Sequence, residues 1–113
     1  MAITNEQVTR HTFLHGLYID PYFPDHVVDK GKDVLLRLCA TIEAERPADL
    51  TALYALTEAA TKEFNLLEAE FEAAGSEIET VAREEIGEDF WFIATAYGFP
   101  TADPESLIAA RDW

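Results

Sequence analysis

Two long apolar stripes at three- and four-residue spacing leave this chain little to do except pack helices. The first is Val27, Val28, Gly31, Val34, Leu35, Leu38, Cys39 and Ile42. The second is Leu50, Leu53, Thr57, Ala60, Phe64, Leu67, Phe71 and Ala74. A strand alternates every two residues, so neither stripe can be kept on one side of a sheet. Pro47 cuts the stripes apart and Gly75 ends the second, as a helix-breaking proline and a C-terminal glycine do. The pattern predicts one helix over His26–Arg46, capped by Asp25, and another over Ala48–Ala74. Their seams suit packing at a shallow angle.

The flanks read the same way. Thr4 and Gln7 form a capping pair, Ile3 can staple to Val8, and a helix over Asn5–Leu17 is expected, with Val8, Leu14 and Leu17 inward. Tyr18-Ile19-Asp20-Pro21-Tyr22-Phe23-Pro24 carries two prolines and becomes an extended aromatic connector. Ser76-Glu77-Ile78-Glu79 reads as a capping box that opens a further helix. Its stripe is Ile78, Val81, Ala82, Ile86, Phe90, Ile93 and Tyr97, with Gly87 a potential break and Gly98 a stop. Asp103 and Pro104 start a last helix to Arg111. Leu107 and Ile108 would dock it, with Trp113 behind. The expected fold is all-α, a compact single-domain bundle of four to six helices over residues 1–113. With 49% hydrophobic residues the chain can bury about two-thirds of its unfolded surface without a disulfide or structural metal.

Charge narrows the partners. The formal net charge is −14, and ten of the twenty-seven residues from Glu63 to Asp89 are acidic against one basic residue, Arg83. Such a field repels nucleic acid and anionic membranes and attracts basic proteins. No apolar run approaches the roughly 20 residues of a membrane span. A lone cysteine, Cys39, and an N-terminus without signal-peptide character lead us to expect a cytoplasmic protein.

Several strings occur in a fixed order: Tyr22-Phe23-Pro24, Val28-Asp29-Lys30-Gly31-Lys32, Leu53-Tyr54-Ala55-Leu56-Thr57, Ser76-Glu77-Ile78-Glu79-Thr80, Tyr97-Gly98-Phe99 and Ala110-Arg111-Asp112-Trp113. In these the chain resembles a family of small acidic all-α bacterial proteins of unknown function. The resemblance spans nearly the whole chain and implies no activity or cofactor. His11 and His15 lie outside its pattern.

Candidate chemistry is sparse. His11 and His15, four apart on the first predicted helix, are a weak metal candidate, since neutral imidazoles at that spacing can share an ion. No His-Glu-x-x-His or Glu-x-x-His motif accompanies them. Asp25, Asp29, Asp33 and Arg37 form a mixed surface edge, with Asp33 and Arg37 a favourable helix pair. Gly31 suits a close helix contact better than a phosphate loop. Cys39 sits in an apolar stripe as a structural thiol. Tyr54, Thr57, Glu58, Thr61 and Asn65 make a polar edge that suits back-bonding to the preceding turn and neighbouring loops better than a pocket. Phe90-Trp91-Phe92-Ile93 cannot all face one core, so Trp91 or Phe92 is a candidate interface.

Three functions compete. The first is a non-enzymatic binding or inhibitory protein of immunity or antitoxin type. It would present Glu68, Glu70, Glu72, Glu84, Glu85 and Glu88 to a basic partner, with no catalytic residue or cofactor. The second is an enzyme or small-ligand protein with a pocket of Tyr18, Tyr22, Tyr54, Thr57 and Asn65, between the third predicted helix and the connector. The third is a homodimer or larger homo-oligomer joined through the Phe90–Ile93 aromatics.

Overall fold

The protein is seen here as a computed structural model that describes residues 3–113. Six helices follow one another among the described residues: α1 Glu6–Arg10, α2 His15–Tyr18, α3 Asp25–Glu45, α4 Leu50–Ala73, α5 Thr80–Ala96 and α6 Pro104–Leu107. No strand occurs among the described residues. The fold is all-α, as the periodicity predicts.

The centre is the α3–α4 pair. All eight residues of the first stripe are buried, from Val27 to Ile42. In the second, Leu53, Thr57, Ala60, Phe64, Leu67 and Phe71 are buried and Leu50 packs at the margin. Ala74 is exposed, because the helix has already ended at Ala73. Lys30 pairs with Glu70 and Arg37 with Glu63, so the two helices run antiparallel. Arg37 therefore serves α4 rather than the expected Asp33. A Cβ on Gly31 would stand 3.0 Å from Phe64 Cε1 and 3.1 Å from Leu14 Cδ1. That close approach is the reason for glycine at this point of α3.

The termini of these helices differ in detail from expectation. Pro24, not Asp25, occupies the N-cap of α3, without a side-chain bond. Asp49 caps α4, its Oδ1 accepting from Ala52 N at 2.9 Å. Gly75 adopts φ +85° and Gly98 φ +89°, the left-handed turns that stop α4 and α5.

The first predicted helix is broken. Asn5, not Thr4, caps α1 through bonds from Gln7 N and Val8 N, and α1 ends at Arg10. Residues 11–14 are non-helical, and Leu14 is left-handed at φ 55° before α2 starts. Tertiary bonds, described below, override helix propensity there.

The Ser76–Glu79 capping box does not form. Ser76 is 1% exposed and its Oγ has no partner among the described residues. The segment stays extended and α5 begins at Thr80, with Glu79 at its N-cap making no cap bond. Glu77 thus precedes the helix instead of lying in its first turn. Gly87 does not interrupt α5. Val81 is exposed, and Asp89 joins the buried stripe of Ala82, Ile86, Phe90, Ile93 and Ala94.

The C-terminal segment lies along the polar edge of α4. Tyr54 Oη accepts from Asp103 N at 2.9 Å, Thr61 Oγ1 donates to Leu107 O at 3.2 Å, and Asn65 Nδ2 donates to Ala110 O at 3.0 Å. Asp112 N donates to Asn65 Oδ1 at 3.1 Å. The helical part, α6, is shorter than predicted. It contacts both α4 and α5. Trp113 is buried against Phe64, ring centroids 6.2 Å apart.

Candidate functional site

Helix α5 sorts its carboxylates by helical phase. Asp89 and Glu85, one turn apart, face the 11–16 segment. Asp89 is 5% exposed; its Oδ2 accepts from Leu14 N at 2.7 Å and its Oδ1 lies 2.8 Å from His11 Nε2. Glu85 Oε1 accepts from Gly16 N at 3.0 Å. Burial raises the Asp89 carboxyl above its ordinary value, and the bonds from His11 and Leu14 oppose that rise. These anchors hold Leu14 in its left-handed conformation, which costs a non-glycine residue about 1–2 kcal/mol. They also leave little room at Gly16, where a Cβ would meet Glu85 Oε2 at 2.9 Å.

His11 is therefore committed to Asp89. Its ring stacks on Phe92 with centroids 3.9 Å apart and meets Phe13 edge-on at 4.6 Å. His15 is exposed, on α2, beyond the break. The two imidazoles do not share a helix face, which removes the geometric basis of the metal candidate. No group of three potential ligands is assembled among the described residues.

The opposite phase of α5 faces out. Glu84 and Glu88 are exposed and make no ion pair within 4 Å among the described residues. Trp91, three residues beyond Glu88, is 43% exposed. With Gly87, Pro104, Glu105 and Ile108 they line a groove of about 310 Å³ between α5 and α6. The aromatic run is thus divided: Phe90 and Ile93 are buried, Phe92 covers His11, and Trp91 faces out.

A second acidic zone lies where α4 ends. Glu68 and Glu72 on α4, Glu77 and Glu79 in the following segment, and Asp112 of the C-terminus influence one another electrostatically. The Glu68 carboxyl is raised by burial first, then by Asp112 and Glu72. The Glu77 carboxyl is raised by the adjoining Glu79 carboxyl first, then by the more distant charges of Glu72 and Glu68. Arg83, the one cation in this stretch of sequence, donates from Nε to Trp113 O at 3.2 Å and makes no ion pair with Glu79. Of the six glutamates expected to form one face, Glu70 is paired with Lys30 and Glu85 holds the 11–16 segment. Glu68 and Glu72 fall in this zone, and Glu84 and Glu88 in the groove.

The five residues of the expected pocket are dispersed. Tyr18 Oη donates to Asp29 Oδ1 at 2.6 Å, and burial followed by that bond raises its phenol. Tyr22 is exposed beside Phe23. Thr57 Oγ1 back-bonds to Tyr54 O at 3.2 Å, while Tyr54 and Asn65 hold the C-terminal segment.

A wider open cavity, about 680 Å³, lies instead among Thr4, Ile42, Glu43, Arg46, Tyr97 and Phe99. Its carboxylate, Glu43, is tied to Thr4 and Tyr97. Glu43 accepts from Tyr97 Oη at 2.5 Å and from Thr4 N and Oγ1, both at 2.9 Å. Those bonds, Tyr97 first, hold the Glu43 carboxyl at about 2. Cys39 is buried nearby, its thiol pushed up to about 12 by burial. The Glu43 carboxylate thus ties the N-terminal segment to α3 and to Tyr97.

Sequence reasoning passed over Asp89 and Glu43, and it placed Glu85 on the partner-facing surface, whereas Glu85 holds Gly16. Asp89 was detectable, because it occupies an apolar phase of α5 between Ile86 and Ile93. A carboxylate in that phase must be bonded when buried. Glu43 carries no comparable signal.

No curated protein and no solved structure matches the chain. A family pattern matches residues 7–113, nearly all of it. The chain belongs to a family of unknown function (DUF5713).

Proposed function

We propose that this is a non-enzymatic binding or inhibitory protein, of immunity or antitoxin type, that acts in a bacterial cytoplasm by presenting its acidic surface to a basic protein. The observation that carries the reading is the crowding of Glu68, Glu72, Glu77, Glu79 and Asp112: none of the five has an ion pair within 4 Å among the described residues, and the neighbouring charges add to the rise of the Glu68 and Glu77 carboxyls. Such a field raises association rates with a basic partner and falls off with salt. The bonds of Asp89, Glu85 and Glu43 support the reading from the other side. The carboxylates with structural work are used internally, and those left outward have no internal work to do.

Affinity capture from a lysate of the source organism tests this. Wild-type protein should recover a basic protein that high salt releases, and a Glu68→Lys/Glu72→Lys/Glu77→Lys variant should not. Recovery of the same proteins by both, or proteins no more basic than background, overturns the reading.

A further inference from the structure

We propose that the groove between α5 and α6 seats one arginine side chain of the basic partner, with the Trp91 indole as a wall and Glu84, Glu88 and Glu105 at the rim. The inference rests on the binding function proposed above and names the recognition element.

Four features converge on it. First, Trp91 stays 43% exposed while its neighbours Phe90 and Phe92 are used inside the molecule. Tryptophan is enriched among the few residues that carry most of the energy of an interface. Second, the concavity is about 310 Å³, at the low end of the roughly 300–1,000 Å³ of ligand clefts. It suits one long side chain, not a cofactor.

Third, Gly87 lies on the groove lining in the middle of a continuous helix. Glycine there costs about 1 kcal/mol relative to alanine. No backbone requirement calls for it, because positive φ occurs at Gly75 and Gly98 and not at Gly87. No packing requirement calls for it either, since a Cβ would stand 3.4 Å from Ile108 Cδ1, an ordinary contact. A glycine demanded by neither conformation nor contact keeps the groove open.

Fourth, charge selects the occupant. Glu84 and Glu88 are exposed with no ion pair among the described residues, and Glu105 shares its charge with Arg111 at 3.2 Å. A cation is required, and arginine fits better than lysine. Its planar guanidinium stacks on an indole while it donates in a fork to carboxylates.

The test is a titration of the intact, ¹⁵N-labelled protein at low salt, read at the Trp91 indole N–H. The probe is a blocked Arg-Gly-Arg-Gly-Arg peptide, with its citrulline and lysine counterparts as controls. The arginine peptide should shift the indole signal saturably, the lysine peptide should bind more weakly, and the citrulline peptide should not bind. Trp91→Ala should weaken binding about threefold to thirtyfold, the span of a cation–π contact, followed at the backbone amides. Gly87→Met should block it while keeping the charge, and its better helix propensity protects the fold. Glu45→Gln, which removes an exposed carboxylate of α3 with no part in either acidic zone, should bind this short peptide as wild type does.

Equal binding by wild type, Trp91→Ala and Gly87→Met overturns the groove and leaves the broader acidic-surface reading standing. So does uptake of citrulline as good as that of arginine. No saturable shift with the arginine peptide also overturns the groove, whereas the capture experiment above decides the broader reading separately.

Discussion

The inward and outward faces of α5 carry the same chemical group to opposite ends. Inward, Asp89 and Glu85 accept backbone N–H bonds from Leu14 and Gly16 and so decide where the N-terminal segment runs. Outward, Glu84 and Glu88 line a groove beside a half-exposed tryptophan. The difference is only phase on a 3.6-residue helix. It teaches that a count of acidic residues says little until each is assigned a side, and that roughly half of the acidity of α5 is scaffold.

The sharpest way to break this division is to remove one carboxylate from each face. Asp89→Ala leaves the buried Leu14 N–H and the His11 ring without their acceptor. It should cost about 3 kcal/mol in urea unfolding, the scale of a hydrogen bond to a charged group plus an orphaned donor. Glu88→Ala should stay within about 0.5 kcal/mol, as exposed substitutions do. Equal losses would mean that the two faces are not different in kind.

Acid titration sharpens the contrast, because the carboxylates move in opposite directions. Glu43 is lowered from 4.5 to about 2, so its contribution is present above 4.5 and is lost as pH falls from 4.5 through 2. Glu68, by burial first, and Glu77, by the adjoining Glu79 first, are raised, so their effect has the other sign: the cost of charging them is relieved below their folded pKa values, and stability falls as pH rises through them. Urea midpoints should therefore rise slightly as neutral pH is lowered toward that range, then fall below pH 4.5. Glu43→Gln should flatten the acid limb, and Glu68→Gln/Glu77→Gln should reduce the rise to the part owed to the raised Asp89 carboxyl.

Smaller effects belong to the outward face alone. Gly87→Ala should raise stability by about 0.5–1 kcal/mol in thermal or urea unfolding, since helical alanine replaces glycine with an ordinary contact to Ile108. A loss would mean that the groove is tighter than its geometry. Smallest of all, Glu84→Gln/Glu88→Gln should leave unfolding within about 0.5 kcal/mol while weakening arginine-peptide binding.

What was legible in the sequence follows the same line. The α3–α4 pair was readable almost residue by residue, because apolar periodicity carries both its helices and its contact. The break at His11–Leu14 was not, because its cause is Asp89, 75 residues from Leu14. Local signals favoured one continuous helix and lost to a buried carboxylate. The Ser76–Glu79 segment failed for a related reason: the fold buries Ser76 before α5 begins at Thr80, so its hydroxyl meets no helix N-terminus to cap. The polar edge of α4 was legible as back-bonding, and Thr57 does so, but its service to the C-terminal segment depends on where that segment returns. The acidic surface was legible as composition, and its partition into tie, groove and crowded zone was not, since only the fold fixes which glutamates meet a donor.

Amide hydrogen exchange at Leu14 and Gly16 tests the central claim most directly. If inward carboxylates hold this segment, both amides exchange slowly in the wild-type protein and in Glu84→Gln/Glu88→Gln, and the Leu14 amide exchanges fast in Asp89→Ala. Fast exchange of Leu14 in the wild type, or a Leu14 amide as slow in Asp89→Ala as before, would contradict the division of α5 into a holding face and a binding face.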